Sequence, residues 1–122
     1  MKREPQGGLE EPVKLVKCIV RTHKADETMD ALREIDLSGF TVTEVAGSGR
    51  AANPKTTWAG RRLELRYVPK TMIDVLVADH VVDDVVRIVM EKARTGNRGD
   101  GRVFIIPVEE AYTIRTRAGG PD

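Results

Sequence analysis

The sequence predicts an α+β domain whose elements run β-α-β-β-α-β. Three observations predict it. Apolar residues alternate with polar ones in several separate stretches, the pattern of half-buried strands. Two stretches with helical spacing lie among them, one after the first strand and one before the Val103–Val108 strand. The 122 residues suffice for one small domain and no more.

Met1 to Glu11 hold almost no apolar side chains and two adjacent glycines, so a leader over residues 1–12 is expected to stay unpacked. Val13 to Val20 alternates and then runs into Ile19-Val20, a strand with a buried face. Asp26-Glu27 is expected to open a helix in which Met29, Leu32 and Ile35 share a face, acids suiting its positive end. Ser38-Gly39 stops it. Phe40 to Ala46 is β-branched and alternating, a second strand. Gly47 to Gly60 has neither period and reads as a long loop, and loops of that length are usually functional. Gly60 and Arg61 begin the return arm of a long hairpin. Alternation resumes through Leu63, Leu65 and Tyr67, is interrupted at Pro69, and continues through Ile73, Val75 and Val77. Val81, Val82, Val85, Val86, Ile88 and Val89 fall at helical spacing, and Thr95-Gly96 ends that helix. Gly99 to Arg102 is a turn, Val103 to Val108 a strand, and Tyr112 to Arg117 a short final strand. This order is the ferredoxin-like split βαβ, both helices on one face of an antiparallel sheet. The domain spans residues 13–117, with a tail at 118–122.

Composition excludes several classes. Twenty Lys and Arg against 19 Asp and Glu give a net charge of +1, without the basic excess of a general nucleic-acid binder. The single cysteine, Cys18, builds neither an internal disulfide nor a thiolate metal site. No apolar run approaches the roughly 20 residues of a membrane helix. A cytoplasmic protein without metal or obligatory cofactor is expected. Five aromatic residues make a lean core for a lone monomer, and an oligomer would relieve that.

Gly47-Ser-Gly49-Arg50 matches part of a dinucleotide-binding fingerprint, but Asn53-Pro54 stands where a helix would have to begin. Pro54 likewise breaks a phosphate-loop reading of residues 49–56. What survives is a glycine-bearing strand end followed by Arg50, where backbone N–H groups and a guanidinium could meet an anion. An ordinary loop explains it equally well. Gly99-Asp100-Gly101-Arg102 permits positive φ and close backbone approach beside a cation, although a plain helix-to-strand turn has the same composition. From Arg50 to Lys70 six basic residues face Glu64 alone. Such a loop suits phosphates, lipid headgroups or an acidic partner surface; it is also what a solvated loop looks like. Trp58, in this polar setting, reads as a contact anchor. His23 and His80 read as surface or capping residues. No nucleophile or acid/base pair appears, so an enzyme is not expected.

Together these pieces resemble the PII signal-transduction family. Gly39-Phe-Thr-Val-Thr-Glu-Val45 with Gly47-x-Gly49-Arg50 resembles its second strand and the entry to its T-loop, here about residues 48–64. Thr95 to Phe104 fits its C-terminal signature, and Ile114-Arg-Thr116 its closing strand. The resemblance implies a homotrimer binding ATP, ADP or AMP in clefts between subunits. Gly49, Arg50, Gly99, Asp100, Gly101 and Arg102 would surround the phosphates, with Lys70 and Arg115 as further cations. Thr41, Asp74 (usually Glu) and Leu76 would line the adenine. Lys55, Trp58, Arg61 and Arg62 of the T-loop would meet a target protein, a transporter or an enzyme.

Departures from the family pattern narrow the expectation. Ala51 replaces the Gln that helps hold Mg²⁺ and 2-oxoglutarate, which argues against 2-oxoglutarate sensing. Leu63 stands at the modifiable tyrosine and Arg61 at the serine phosphorylated in some relatives, which removes both switches. Thr113 replaces a basic residue of the closing strand. A sensor of another small anion, such as bicarbonate together with ADP or AMP, is the alternative. A ferredoxin-like RNA-binding module is more distant, since no stacking aromatic cluster is present.

Overall fold

The computed structural model describes residues 11–35, 37, 39–47, 68–117 and 119, together with the backbone of 55–58 and 61–64. In chain order these form β1 (Val13–Arg21), α1 (Thr22–Leu32), β2 (Thr41–Gly47), β3 (Lys55–Trp58), β4 (Arg61–Glu64), β5 (Val68–Ala78), a 3-10 turn (Asp79–Val81), α2 (Val82–Lys92) and β6 (Gly101–Val108). β1, β2, β5 and β6 make one antiparallel sheet in the order β2-β5-β1-β6, and β3 pairs with β4 in a separate ribbon. This is the expected ferredoxin-like architecture, with the loop between the first two sheet hairpin strands carrying a ribbon of its own.

Period-2 alternation decides which side chains meet the helices. Val16, Cys18 and Val20 of β1 and Ile73, Val75 and Val77 of β5 are buried on one face. Against them α1 sets Ala25, Thr28, Met29 and Leu32, and α2 sets Val82, Val85, Ile88 and Val89. Thr28 enters this core because its hydroxyl donates to the Lys24 carbonyl at 2.8 Å, which satisfies the buried group. Glu11 and Pro12 are tied to the start of the α2 segment. Pro12 O accepts from Asp79 N at 2.9 Å, and the two Glu11 carboxylate oxygens meet the amide and the ring Nδ1 of His80. Residues 1–10 lie outside the described residues, as do 120–122.

Several boundaries differ from the sequence reading. α1 starts at Thr22, four residues before the Asp26-Glu27 pair, directly where β1 ends, and it has no side-chain cap. It stops at Leu32, so Ile35 packs on the core from the following turn. Pro69 does not interrupt a strand. It pairs with Ala46 inside β5, just past the last β1–β5 pair at Arg21 and Lys70. There β5 has a neighbour on one side only, and proline costs no ladder bond. The loop at 47–60 contains β3. α2 ends at Lys92, before Thr95-Gly96, and β6 begins at Gly101 inside the expected turn.

The expected final strand is absent. Tyr112 makes an isolated bridge to Gly119, residues 114–116 form a turn, and Arg117 N bonds Thr113 O at 2.8 Å. Residues 112–117 have strand composition, but β propensity expresses itself through neighbouring strands. Ile114 is 96% exposed.

Candidate functional site

Cations and glycines gather at one end of the sheet, where β1, β5 and β6 meet the 95–100 segment. The turn is shaped by one carboxylate. Asp100 accepts from the Thr95 and Gly96 amides at 2.8 Å each, from the Thr95 hydroxyl, and from Arg21 Nε at 3.0 Å. Burial alone would raise its pKa. The Thr95 hydroxyl and amide, Arg21 and the Gly96 amide outweigh that and hold the carboxyl well below the usual carboxylate range. Arg21 reaches further and donates to the Arg98 carbonyl at 2.7 Å. Lys70, buried in β5, donates to the Gly99 carbonyl. Two cations thus seize two consecutive carbonyls and fix the turn on the sheet.

Lys70 stands in an unfavourable place for a charge. Burial and the Arg21 guanidinium push its pKa down, against a smaller upward pull from Asp100. An anion arriving here would relieve both costs. Beside it, Thr22, Glu44, Val45, Ala46, Pro69 and Lys70 line an open hollow of about 470 Å³ at the end of β2, within the usual range for small-molecule sites. A Cβ on Gly47 would come 3.3 Å from Lys70 Cγ, so the strand end packs tightly on the lysine stem.

The sheet brings most of the sequence-predicted residues to one side. Thr41 pairs with Asp74, and Asp74 with Lys17, which pairs in turn with Phe104. Thr41, Asp74, Lys17 and Phe104 therefore form a row on the face away from the helices, with Leu76 on the same face. Asp74 faces Lys17 Nζ at 3.2 Å through Oδ1. That oxygen has no hydrogen-bond donor among the described residues; the hydrogen bond runs from Lys17 Nζ to Oδ2 at 3.4 Å. Gly99, Asp100, Gly101 and Arg102 follow one another beside Lys70 and Arg21. Arg115 is exposed in the 114–116 turn, off the sheet. Gly49 and Arg50 lie outside the described residues. Lys55, Trp58, Arg61 and Arg62 lie on the paired strands of the β3–β4 ribbon. The sequence reading missed Arg21 and Thr95. Arg21 was discoverable by continuing the Lys17-Ile19 alternation two residues further; Thr95 was marked only as a helix end and the start of the C-terminal signature, not as a partner of Asp100.

Cys18 is buried between the sheet and the helices, and burial, with Asp74 nearby, pushes its thiol up to about 12. Its thiolate fraction at pH 8 is on the order of a thousandfold below that of a free cysteine. Alkylation by iodoacetamide at pH 8 is expected to be negligible in the native protein and rapid in urea; comparable rates in both would contradict the burial. Among the described residues no three His, Cys, Asp or Glu side chains gather as a metal site, and no helix is long and apolar enough to cross a membrane.

The pattern of the family described as nitrogen regulatory protein P-II matches residues 13–118. Nitrogen regulatory protein P-II of Azospirillum brasilense is 36% identical over 110 residues, 90% of this chain and 98% of that one. Nitrogen regulatory protein P-II 2 of Methanothermobacter thermautotrophicus is 39% identical over 108 residues, 88% and 94% of the two chains. Nitrogen regulatory protein GlnK of Escherichia coli is 38% identical over 104 residues, 85% and 93%.

Proposed function

We propose, from the premise that this chain belongs to the nitrogen regulatory protein P-II family, that it signals by binding adenine nucleotides. The chain is a regulatory protein acting on partner proteins, as its family is. The observation that carries the nucleotide reading is the cationic turn. Lys70 and Arg21 hold Gly99 and Arg98 by their carbonyls, which leaves the turn's positive-φ glycines, Gly99 and Gly101, to bring backbone close to a phosphate. Arg102 follows, and the hollow at Lys70 adjoins it. Gly49 and Arg50 would close on the phosphates from the loop after β2, while Thr41, Asp74 and Leu76 would face the base and Arg115 would come from a neighbouring subunit.

The helix-free face of the sheet supports a homotrimer. Leu15, Ile19, Met72 and Leu76 are only half-buried there, and Phe104 and Ile106 are 41% and 38% exposed. A face that apolar is covered in solution by other copies of the chain. Nucleotides differing by one phosphate would bias the loop bearing Arg50, and with it the presentation of Lys55, Trp58, Arg61 and Arg62 to a target, by their differential affinity for its two states.

Calorimetric titration with ATP, ADP and AMP tests this, each run alone, with Mg²⁺ and 2-oxoglutarate, and with bicarbonate. Arg50→Ala and Arg102→Ala are each expected to weaken nucleotide binding about tenfold to a hundredfold, the worth of a charge-assisted phosphate bond. 2-Oxoglutarate is expected to change nothing, because Ala51 offers no ligand atom. Enhancement by bicarbonate would identify the second signal. Wild-type affinity in both variants would end the site assignment.

A further inference from the structure

We propose that Lys70 is a carbon dioxide-binding residue, its ε-amino group forming a reversible carbamate in the hollow at the end of β2. This modification would regulate the end of the sheet read above as the nucleotide site, and it rests on that reading only in its competition with ATP. Lys70 is 8% exposed and lines the hollow with Thr22, Glu44, Val45, Ala46 and Pro69. The space, about 470 Å³, is far more than a three-atom molecule occupies. Only a neutral amine attacks carbon dioxide. Burial and the Arg21 guanidinium both push Lys70 toward that form, against a smaller opposing pull from Asp100.

The neutral nitrogen places its lone pair on the carbon of carbon dioxide, a C–N bond forms, one C=O pair moves to oxygen, and an N–H proton leaves to water. The lysine then carries an anion. Its remaining N–H keeps the bond that Lys70 now donates to the Gly99 carbonyl, so the turn stays in place. Charge selects carbon dioxide among reagents for an amine. The register sets Arg21 and Lys70 opposite each other on β1 and β5, and at the lysine nitrogen Arg21 acts more strongly than Asp100. Arg21 gives Nε to Asp100 and Nη2 to the Arg98 carbonyl, two of the five N–H donors of a guanidinium. The guanidinium that disfavours an ammonium here therefore favours a carbamate. An aldehyde would leave a neutral or cationic imine and an acyl donor a neutral amide, and neither gains from Arg21. Glu44, the carboxylate among the lining residues, is exposed, so water and salt screen it.

The test exposes the full chain to isotopically labelled carbon dioxide at pH 8, fixes carbamates as ethyl esters with triethyloxonium, and locates them by peptide mass spectrometry. Label at Lys70 is expected to exceed that at Lys92, an exposed lysine, about tenfold. Arg21→Gln is expected to lower the Lys70 label about tenfold. Because Arg21 also holds the turn, Arg21→Lys, which keeps a cation, is the companion variant, and it is expected to retain most of the label. Lys70 labelled no more than Lys92 would overturn the proposal in the wild-type protein alone. So would full label in Arg21→Gln, or equal loss in both variants. Bicarbonate held only as an ion would leave no label on the peptide, which would also end the proposal. ATP in excess is expected to protect Lys70, since phosphate and carbamate need the same cation. ATP that fails to bind, or binds without protecting, would remove the nucleotide site from Lys70 and leave the carbamate standing.

Discussion

Gly101→Ala is expected to be the most damaging single substitution in the chain, lowering unfolding free energy by about 4 kcal/mol or preventing folding outright. Gly101 has φ +111°, and a Cβ there would lie 1.7 Å from the Ile19 carbonyl oxygen and 2.8 Å from its carbon. Neither atom can yield, because Ile19 sits in the middle of β1, paired to Met72 on one side and Arg102 on the other. The methyl group must push β6 off the sheet. Gly39→Ala is the control. Gly39 also has positive φ, at +139°, but nothing lies within 4 Å of its missing Cβ, so only backbone strain of about 1 kcal/mol is expected. Urea denaturation of the two variants separates crowding from strain, and equal midpoints would refute the close approach.

The second large effect belongs to Asp100. Asp100→Ala removes an acceptor from two amides, a hydroxyl and a guanidinium at once, and a loss of about 2–4 kcal/mol is expected at pH 7, discounted for partial exposure of the pair with Arg21. The pH dependence has a definite sign. A carboxyl held low in the folded state contributes stability that is complete above its unfolded pKa of about 4 and disappears as pH falls through the folded value. Wild type should therefore lose stability steadily below about pH 4, and Asp100→Asn should show a shallower acid slope. Parallel slopes for the two proteins between pH 5 and pH 2 would remove Asp100 from the account.

The sheet was legible because its core strands obey one rule. Val16, Cys18 and Val20, and Ile73, Val75 and Val77, alternate without exception, and burial follows that alternation. The glycine turn was legible too, since Gly99-Asp-Gly101 needs conformations that other residues avoid. What escaped were features fixed by neighbours in space. Pro69 reads locally as a break, and only the point at which β1 leaves the sheet makes it harmless. Residues 112–117 read as a strand, yet among the described residues no strand lies beside them. The start of α1 carries no cap residue, so the acids at Asp26 and Glu27 drew the boundary too far along. In the site, Arg21 and Thr95 act through Asp100, a partner 79 residues from one and five from the other, and composition does not encode that meeting.

β3 and β4 pair with each other and belong to neither edge of the main sheet. A two-stranded ribbon alone is marginal in water, so the free energy of the domain resides elsewhere. The consequence is evolutionary. Substitutions in the ribbon cost the fold little, so selection can rewrite them at little risk to folding. Leu63 and Arg61, both on β4, stand where such change is tolerated. A lineage can remodel the ribbon while the turn at Asp100 and the strands behind it stay as they were.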